Sequence, residues 1–393
     1  MIDQECRLTV AQSQKFQIVQ AALDGHYTNA QAAGALNLSR RQLQRYKRRV
    51  QRDGPSGVRH GNSARRPVNR LSDPRRQKIL DLAASTYALY NFSHMADALA
   101  HDEGVLVSDE TLRRLLRPTG HGGKPRRRKV HRRRRQRRAK EGELLFLDGS
   151  PHPWFGPDYD PLCLLLSTDD ATGKPLGGLF QPQEDRDGCM EVCYRTFCKH
   201  GLPLAYYLDR GSQFITTDHL AAQQGRPVPP TAFQVAMKAL HIQLIFANSP
   251  QARGRGERIN GSFQNRLVAE LIRYRIHDAK RATRYLNDVF IPRYAARFGQ
   301  PAADPIPAWR PLDPALHLPS ILCAKHQRIV SNDNTVRFAG VLYQIEPPTG
   351  RRHLAHAKIE VQQRFDGSIH MTHLRYGELT CKKIPGHKAM LPV

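Results

Sequence analysis

The sequence predicts a multidomain protein with N-terminal all-α helix-turn-helix units, a central α/β domain and a small C-terminal β-barrel. Apolar residues at helical spacing, mixed with many arginines, occupy the first 120 positions. Short apolar runs typical of strands begin beyond Lys140, and alternating short strands broken by turn residues follow position 320. A chain of 393 residues is long enough for several domains.

The net charge indicates a polyanionic partner. The sequence holds 61 Lys and Arg against 35 Asp and Glu, which gives a formal net charge of +26. Double-stranded DNA is therefore the expected partner. No apolar run approaches the roughly 20 residues that span a bilayer, and the N-terminal sequence lacks the pattern of a secretion signal, so a cytoplasmic location is expected.

Residues 1–60 predict a helix-turn-helix DNA-binding domain. A first helix ends near Gly25, and a short helix, the turn "NLS" and a helix capped by Ser39 follow. Basic residues of the last helix are expected to reach the major groove and the phosphates. An ordinary helical hairpin with a solvated basic face is the alternative. The predicted DNA-binding residues of this helix are Arg40, Arg41, Arg45, Lys47 and Arg48.

A second helical domain is predicted over residues 66–120. Asp73 and Ser108 stand at expected N-cap positions, and Pro118 stops the last helix. The pattern suits a second helix-turn-helix unit, although any three-helix bundle would give it too.

Residues 121–140 form a predicted basic linker. The stretch 124–140 contains twelve Lys or Arg and no acid, a composition that cannot form a core and that favours contact with a phosphate backbone. A solvated linker or a localisation signal is the alternative. Four consecutive residues of this tract are predicted to bind DNA: Arg132, Arg133, Arg134 and Arg135.

Residues 141–300 predict an α/β domain with mixed strand pairing. The order of elements is three strands, a helix, a strand, a helix, a strand and a long helix. An early antiparallel meander needs only short turns, and later strands alternate with helices. The predicted strands are 144–150, 162–173, 175–184, 204–209 and 243–250, and the predicted helices are 187–201, 231–242 and 251–272.

Three acids follow this order of elements. Asp148 is predicted to end the first strand, Asp209 to end the fourth, and Glu257 to lie near the start of the last helix. Sites of α/β sheets gather at the carboxyl ends of strands, and clustered carboxylates require a cation such as magnesium or manganese. Taken singly, each acid also suits a turn or a helix N-terminus. Asp169 and Asp170 are interpreted as turn formers.

Several motifs together resemble a known family. These are "LFLDGSPHPWF", "LLLSTDDATGKPLGGLF", "YLDRGSQF", "ANSPQARGRGERINGSFQNRL" and "RIVSNDNTVRFAGVLYQIEP". They are similar to DDE transposases of bacterial insertion sequences, which carry a retroviral-integrase-like core of ribonuclease-H fold, and most similar to the ISNCY group. The resemblance covers nearly the whole chain. The zinc module of retroviral integrases is missing, so DNA recognition is expected from the helix-turn-helix alone.

The resemblance implies a function and a site. It implies that Asp148, Asp209 and Glu257 are the catalytic triad that binds two divalent ions, Mg²⁺ or Mn²⁺, and that Asn260 contacts DNA or substrate phosphate. It also implies a nucleoid-associated protein that acts as a homo-oligomer on element ends and target DNA. Two-metal phosphoryl transfer would serve both end cleavage and joining of the 3′-hydroxyls. A non-catalytic DNA-binding regulator and a plain metal-dependent nuclease of the same fold are the alternatives.

Residues 320–393 predict a β-barrel of about five strands. Short alternating strands are separated by the turns "NDN", "AG" and "DG". In the resembling enzymes such a barrel contacts DNA or a partner subunit, and a barrel that only packs on the core is the alternative.

Overall fold

The computed structural model describes residues 8–60, 62, 70–122, 136–216, 228–247 and 254–385, without the side chains of residues 255 and 257. The predicted DNA-binding residues Arg132, Arg133, Arg134 and Arg135 lie outside the described residues. The chain divides into two compact units, Met1–Ile79 and Leu80–Val393. Within the described ranges, no helix is long and apolar enough to cross a membrane.

The first unit contains the predicted helix-turn-helix. Helices α1 (Val10–Leu23), α2 (Asn29–Ala35) and α3 (Arg40–Asp53) each begin with the same device. The hydroxyl of Thr9, Thr28 or Ser39 accepts a bond from the backbone N–H three residues on, and the glutamine there bonds back to the cap. These capping boxes fix where each helix starts, and the predicted cap at Ser39 is confirmed.

Three more helices follow: α4 (Asp73–Ala84), α5 (Phe92–Asp102) and α6 (Asp109–Leu116). The prediction that Ser108 caps a helix is confirmed, since its side chain accepts from the Thr111 N–H. The N-cap predicted at Asp73 is wrong by one position. The Arg76 N–H donates to the Ser72 carbonyl at 2.9 Å, so Asp73 is already the first helical residue.

A five-stranded mixed sheet forms the centre of the second unit. Its order is β3-β2-β1-β4-β5, with antiparallel pairing among the first three strands and parallel pairing of β1 with β4 and of β4 with β5. The predicted mixed α/β sheet is confirmed. The strands are β1 (Leu145–His152), β2 (Leu162–Asp169), β3 (Pro175–Gln181), β4 (Ala205–Leu208) and β5 (Gln243–Phe246).

Helices cover both faces of this sheet. The helices are α7 (Arg186–His200), α8 (Ala232–Ala239), α9 (Gly254–Arg273), α10 (Ala279–Tyr285) and α11 (Ile291–Phe298), with one π-helical turn between the last two at Leu286–Phe290. Leu145 and Leu147 of β1 belong to the core that includes α7 and α8. Leu164 and Leu166 of the neighbouring strand belong to the core that includes α9. Two hydrophobic layers therefore hold the sheet between helices.

One strand boundary differs from the prediction. Asp148 lies inside β1 and does not end it, because β1 pairs with β2 along its whole length, from Leu145 opposite Asp169 to His152 opposite Leu162. Antiparallel pairing with β2 therefore extends β1 beyond Asp148. Asp209, by contrast, directly follows the last residue of β4, as predicted.

The C-terminal segment is β-rich but forms two sheets. After the short helix α12 (Leu318–Ile321), one sheet has the order β11-β10-β9-β6 and the other β12-β8-β7. The strands are β6 (Cys323–Ile329), β7 (Thr335–Phe338), β8 (Val341–Ile345), β9 (Lys358–Arg364), β10 (Ile369–His373), β11 (Gly377–Leu379) and β12 (Cys381–Lys383). Among the described strands the pairing does not close into one barrel, and seven strands replace the predicted five.

Candidate active site

Strand register brings two of the predicted acids together. In the parallel pair, Leu145 lies opposite Tyr206 and Phe146 opposite Tyr207. Continuing that register places Asp148 level with Asp209 at the carboxyl end of β4. Because side chains alternate along a strand, both acids lie on the face of Phe146 and Tyr207, whose rings are 5.6 Å apart. This is the face covered by α9.

The Asp209 carboxylate is held by its own turn. Its Oδ1 accepts a hydrogen bond from the Gly211 N–H at 2.9 Å, which fixes the side chain as β4 ends. The turn is anchored by Phe214, a fully buried ring that packs edge-on against Phe233 of α8 at 5.0 Å. Asp209 itself is half-buried.

Asp148 is held from the opposite side by α9. The Asn260 amide donates from Nδ2 to Asp148 Oδ2 at 2.9 Å, and Asn260 is buried. Gly256 comes equally close, since a Cβ there would lie 3.3 Å from the same oxygen. The absence of a side chain at Gly256 thus allows the first turns of α9 to approach Asp148, at a cost in helix propensity of roughly 1 kcal/mol relative to Ala.

Glu257 belongs to these same first turns. Its backbone is helical, and it precedes Asn260 by three residues, so the two positions are neighbours on one side of the helix. The side chain of Glu257 is outside the described part of the structure. Its predicted role as the third acid therefore stays a prediction.

Asp169 has the structural role that the sequence indicates. It is fully buried and accepts three hydrogen bonds, from the Gly142 N–H at 3.0 Å and from the N–H and hydroxyl of Thr172 at 2.7 Å each. Burial raises the pKa of Asp169, while these hydrogen bonds act in the opposite direction. The carboxylate stabilises the turn that connects β2 and β3.

Sequence reasoning missed a fourth acid near this site. Glu184 follows β3, which runs in the same direction as β1 because both are antiparallel to β2. The carboxyl ends of β1, β3 and β4 therefore meet at one edge of the sheet. A Cβ at Gly149 would collide with Glu184 Oε2, so this carboxylate covers the residue directly after Asp148. The signal was available, since the predicted strand 175–184 ends at Glu184.

The donor chemistry suits a hard divalent cation. Asp148 and Asp209 present carboxylate oxygens on one face of the sheet, and such oxygens are the ligands of Mg²⁺ and Mn²⁺. Among the residues whose side chains are described, no group of three His, Cys, Asp or Glu lies close enough to hold a metal ion. Asp148 and Asp209 are therefore the two predicted acids that the described side chains bring together, and the role of Glu257 stays a prediction.

The far half of α9 is held by α5. Arg266 donates to Asp97 Oδ2 and to the Ser93 hydroxyl, each at 2.9 Å, and His94 Nε2 lies 2.7 Å from Glu270 Oε1. Arg266, His94 and Glu270 are all buried. The helix that carries Glu257 and Asn260 at one end is therefore fixed at the other by a buried polar network.

The predicted DNA-binding residues of α3 fall into two groups. Arg40, Arg41, Arg45 and Arg48 are exposed. Lys47 is half-buried and donates from Nζ to the Ala22 carbonyl at 2.8 Å. The exposed arginines offer a basic surface, whereas the Lys47 ammonium ties α3 to the end of α1.

Comparisons with known proteins place the chain in a family. Residues 15–77 match the family described as winged helix-turn helix. The chain is 32% identical over 358 residues to a putative transposase, y4bF, of Sinorhizobium fredii, covering 91% of this chain and 77% of that protein. It is 30% identical over 398 residues to the transposase for insertion sequence IS1202 of Streptococcus pneumoniae, covering 92% and 84%.

Solved structures give weaker overall similarity. The catalytic core domain of HTLV-2 integrase, in complex with magnesium, has a TM-score of 0.29 at 18% identity and covers 37% of this chain and 82% of that one. An intasome of simian T-cell lymphotropic virus, in complex with a PP2A regulatory subunit, has a TM-score of 0.28 at 15% identity and covers 77% and 96%.

The N-terminal helix-turn-helix defines the chain as a DNA-binding protein, and a mixed α/β core follows it. The two sequence relatives make the assignment specific, because each is matched over more than two thirds of its length. The chain belongs to the transposases of insertion sequences.

Proposed function

We propose that this transposase cleaves the ends of its element and joins the freed 3′-hydroxyls to target DNA in a ribonuclease-H-like core. The proposed catalytic acids are Asp148, Asp209 and Glu257. The observation that carries the proposal is the parallel pairing of β1 with β4, whose register, when continued, puts Asp148 level with Asp209, together with the approach of α9 to Asp148 through Asn260 and Gly256.

The three acids would hold two divalent ions, magnesium or manganese. Such ions supply activation of the attacking oxygen and stabilisation of the leaving oxygen in an in-line displacement at phosphorus. Cleavage and joining are both displacements of this kind, so one site serves both steps.

The chain's own residues position the acids and the DNA. Asn260 orients the Asp148 carboxylate, and the Gly211 N–H orients that of Asp209. The N-terminus of α9 carries the positive end of the helix dipole, which favours carboxylates and DNA phosphates beside the site. Water is excluded behind the acids by the buried core of β1 and β4. The carboxylates that would hold the metal ions are therefore fixed in place before the reacting phosphate binds.

The remaining parts of the chain suit DNA recognition. We assign recognition of the element ends to residues 1–60, with Arg40, Arg41, Arg45 and Arg48 of α3 on the exposed side. The basic tract 121–140 would follow the phosphate backbone, and residues 141–300 would form the catalytic domain. Residues 320–393 would contact DNA or a second copy of the chain, because joining two element ends requires more than one active site.

The decisive experiment uses duplex DNA that contains the terminal inverted repeats flanking the gene. Wild-type protein in magnesium is expected to cut at the repeat boundary and to join the 3′ ends to a second duplex. Glu257→Gln is expected to bind the duplex normally and to do neither, because Gln keeps the size of the side chain but not its negative charge.

A matched control and two outcomes define the test. Glu191→Gln makes the same chemical change at an acid of α7 that pairs with Arg195, and it should cut and join normally. Hydrolysis without joining would identify a nuclease. End binding without either reaction by wild-type protein would identify a DNA-binding regulator.

A further inference from the structure

Glu184 lies directly behind the strand that carries Asp148. A Cβ at Gly149 would collide with Glu184 Oε2 and lie 2.8 Å from its Cδ, so the carboxylate occupies the space that a side chain at this position would need. Gly149 faces the α7 side of the sheet, since side chains alternate and Asp148 faces α9. The Glu184 carboxylate thus lies against the α7 face of β1, at the residue that follows Asp148.

The same carboxylate holds the turn that carries Asp209. Gln213 Nε2 donates to Glu184 Oε1 at 2.6 Å. The Gln213 amide in turn lies over Gly211, where a Cβ would come within 2.6 Å of it. Gly211 is the residue whose N–H fixes the Asp209 carboxylate. One side chain therefore reaches the backbone next to Asp148 and the turn next to Asp209.

We propose that Glu184 is a positioning residue that fixes the spacing of Asp148 and Asp209 through Gly149 and Gln213, and thereby sets the affinity of the site for a divalent cation. The proposal rests on the proposed function of this site. Strands β1 and β4 are paired only at Leu145 and Phe146, so backbone pairing alone does not hold the two acids level. Glu184 supplies a second connection between the two strands further along.

The electrostatics of a neighbouring thiol agree with this placement. Burial raises the pKa of Cys163 to about 11, and the negative charges of Glu184 and Asp148 act in the same direction. A Cβ at Gly149 would lie 3.1 Å from Cys163 Sγ, so the thiol and the Glu184 carboxylate adjoin the same position of β1. Residues that orient metal ligands are typically worth about ten- to a hundredfold in metal affinity.

The test is a titration of full-length protein with Mn²⁺ in the absence of DNA, with electron paramagnetic resonance used to measure the free ion. Glu184→Ala is expected to weaken Mn²⁺ binding about tenfold. Glu184→Gln should stay within about threefold of wild type, because Gln retains the acceptor for Gln213 and the volume over Gly149. Gln213→Ala, which removes the same contact from the other side, should resemble Glu184→Ala.

Asp185→Asn is the matched control. It removes a carboxylate charge one residue away, yet Asn keeps the N-cap of α7 that Asp185 provides by accepting from the Gly188 N–H at 2.8 Å. Its Mn²⁺ affinity should equal that of wild type. The magnesium concentration for half-maximal cleavage should rise in Glu184→Ala, while the rate at saturating magnesium stays within a few-fold.

Three results would overturn the inference. Wild-type affinity in Glu184→Ala would show that the contact does not matter. Equally weakened Mn²⁺ affinity in Glu184→Gln and Glu184→Ala would show that the negative charge of Glu184 itself attracts the ion. Equally weakened Mn²⁺ affinity in Asp185→Asn would show that any nearby negative charge has this effect. If wild-type protein binds Mn²⁺ but neither cuts nor joins DNA, the proposed function fails while the titration still decides the role of Glu184.

Discussion

Two aspartates on neighbouring strands should respond oppositely to the same substitution. Asp148→Asn is expected to abolish cleavage and leave the fold intact, whereas Asp169→Asn should weaken the fold and leave the folded enzyme active. Both changes replace one carboxylate oxygen by an NH₂ group. The contrast therefore depends only on what surrounds each side chain.

The magnitude for Asp169 follows from its three donors. Gly142 donates to one oxygen, and both the N–H and the hydroxyl of Thr172 donate to the other. An asparagine must turn its NH₂ group toward one of these backbone N–H groups, which then loses its acceptor in a fully buried place. An unsatisfied buried donor costs about 1–3 kcal/mol, so the free energy of unfolding should fall by about 2 kcal/mol.

Asp148 is more exposed than Asp169. It is half-buried, and the bond from Asn260 Nδ2 survives if the asparagine oxygen takes the place of Oδ2. The unfolding free energy should therefore change by less than about 1 kcal/mol. If Asp148 is a metal ligand as proposed, the substitution removes its negative charge and misplaces the attacking oxygen, and cleavage should fall at least about a hundredfold.

Urea denaturation and end cleavage on the same preparations test both statements, with rates expressed per folded molecule. Near wild-type cleavage by Asp148→Asn, together with a stable but inactive Asp169→Asn, would refute the reasoning. The candidate site would then have to be rebuilt around residues 167–170.

Three further outcomes are expected. Replacing Arg41 and Arg45 together by Ala should weaken binding to the element ends. The slope of log affinity against log salt, measured by gel shifts at several salt concentrations, should fall by about one for each phosphate that is no longer bound. Lys47→Ala should instead lower the melting temperature of the first unit. Burial lowers the pKa of His94 below its ordinary 6.5, so this side chain binds a proton at a higher pH in the unfolded chain than in the folded one. The free energy of unfolding should therefore fall as pH drops through about 6.5. That pH dependence should be smaller in His94→Gln. Phe263→Ala should cost about 3–5 kcal/mol of unfolding free energy, because the ring is fully buried.

A specific result would contradict each of these predictions. An unchanged salt slope would remove the α3 arginines from the DNA interface. Equal pH dependence in wild type and His94→Gln would assign the proton uptake to another group. A Phe263→Ala protein of wild-type stability would show that the core under α9 is not tightly packed.

Local sequence signals predicted the local structure well. The cap at Ser39 was predicted and starts α3, because a capping box is complete within four residues. Capping boxes of the same kind, at Thr9 and Thr28, start α1 and α2. The mixed sheet was equally predictable, since short turns permit only antiparallel pairing between successive strands and helices permit parallel pairing.

Features that depend on distant partners were not predictable in the same way. The strand end at Asp148 was misplaced because the length of β1 is set by β2, a segment beyond the next turn. The hydrogen bond from Lys47 to the carbonyl of Ala22, 25 residues away, was not foreseen either, and the role of Lys47 in DNA binding stays a prediction. The sheets of the C-terminal segment depend on pairings such as Cys323 with Arg364, which no local pattern specifies.

The close fit of Glu184 over Gly149 has a consequence for how related chains diverge. A side chain at position 149 would collide with the Glu184 carboxylate where it now lies, so the acid would have to move. A larger residue at position 149 therefore favours a shorter residue at position 184. Among related transposases, these positions should therefore show correlated substitution although they lie 35 residues apart in the sequence.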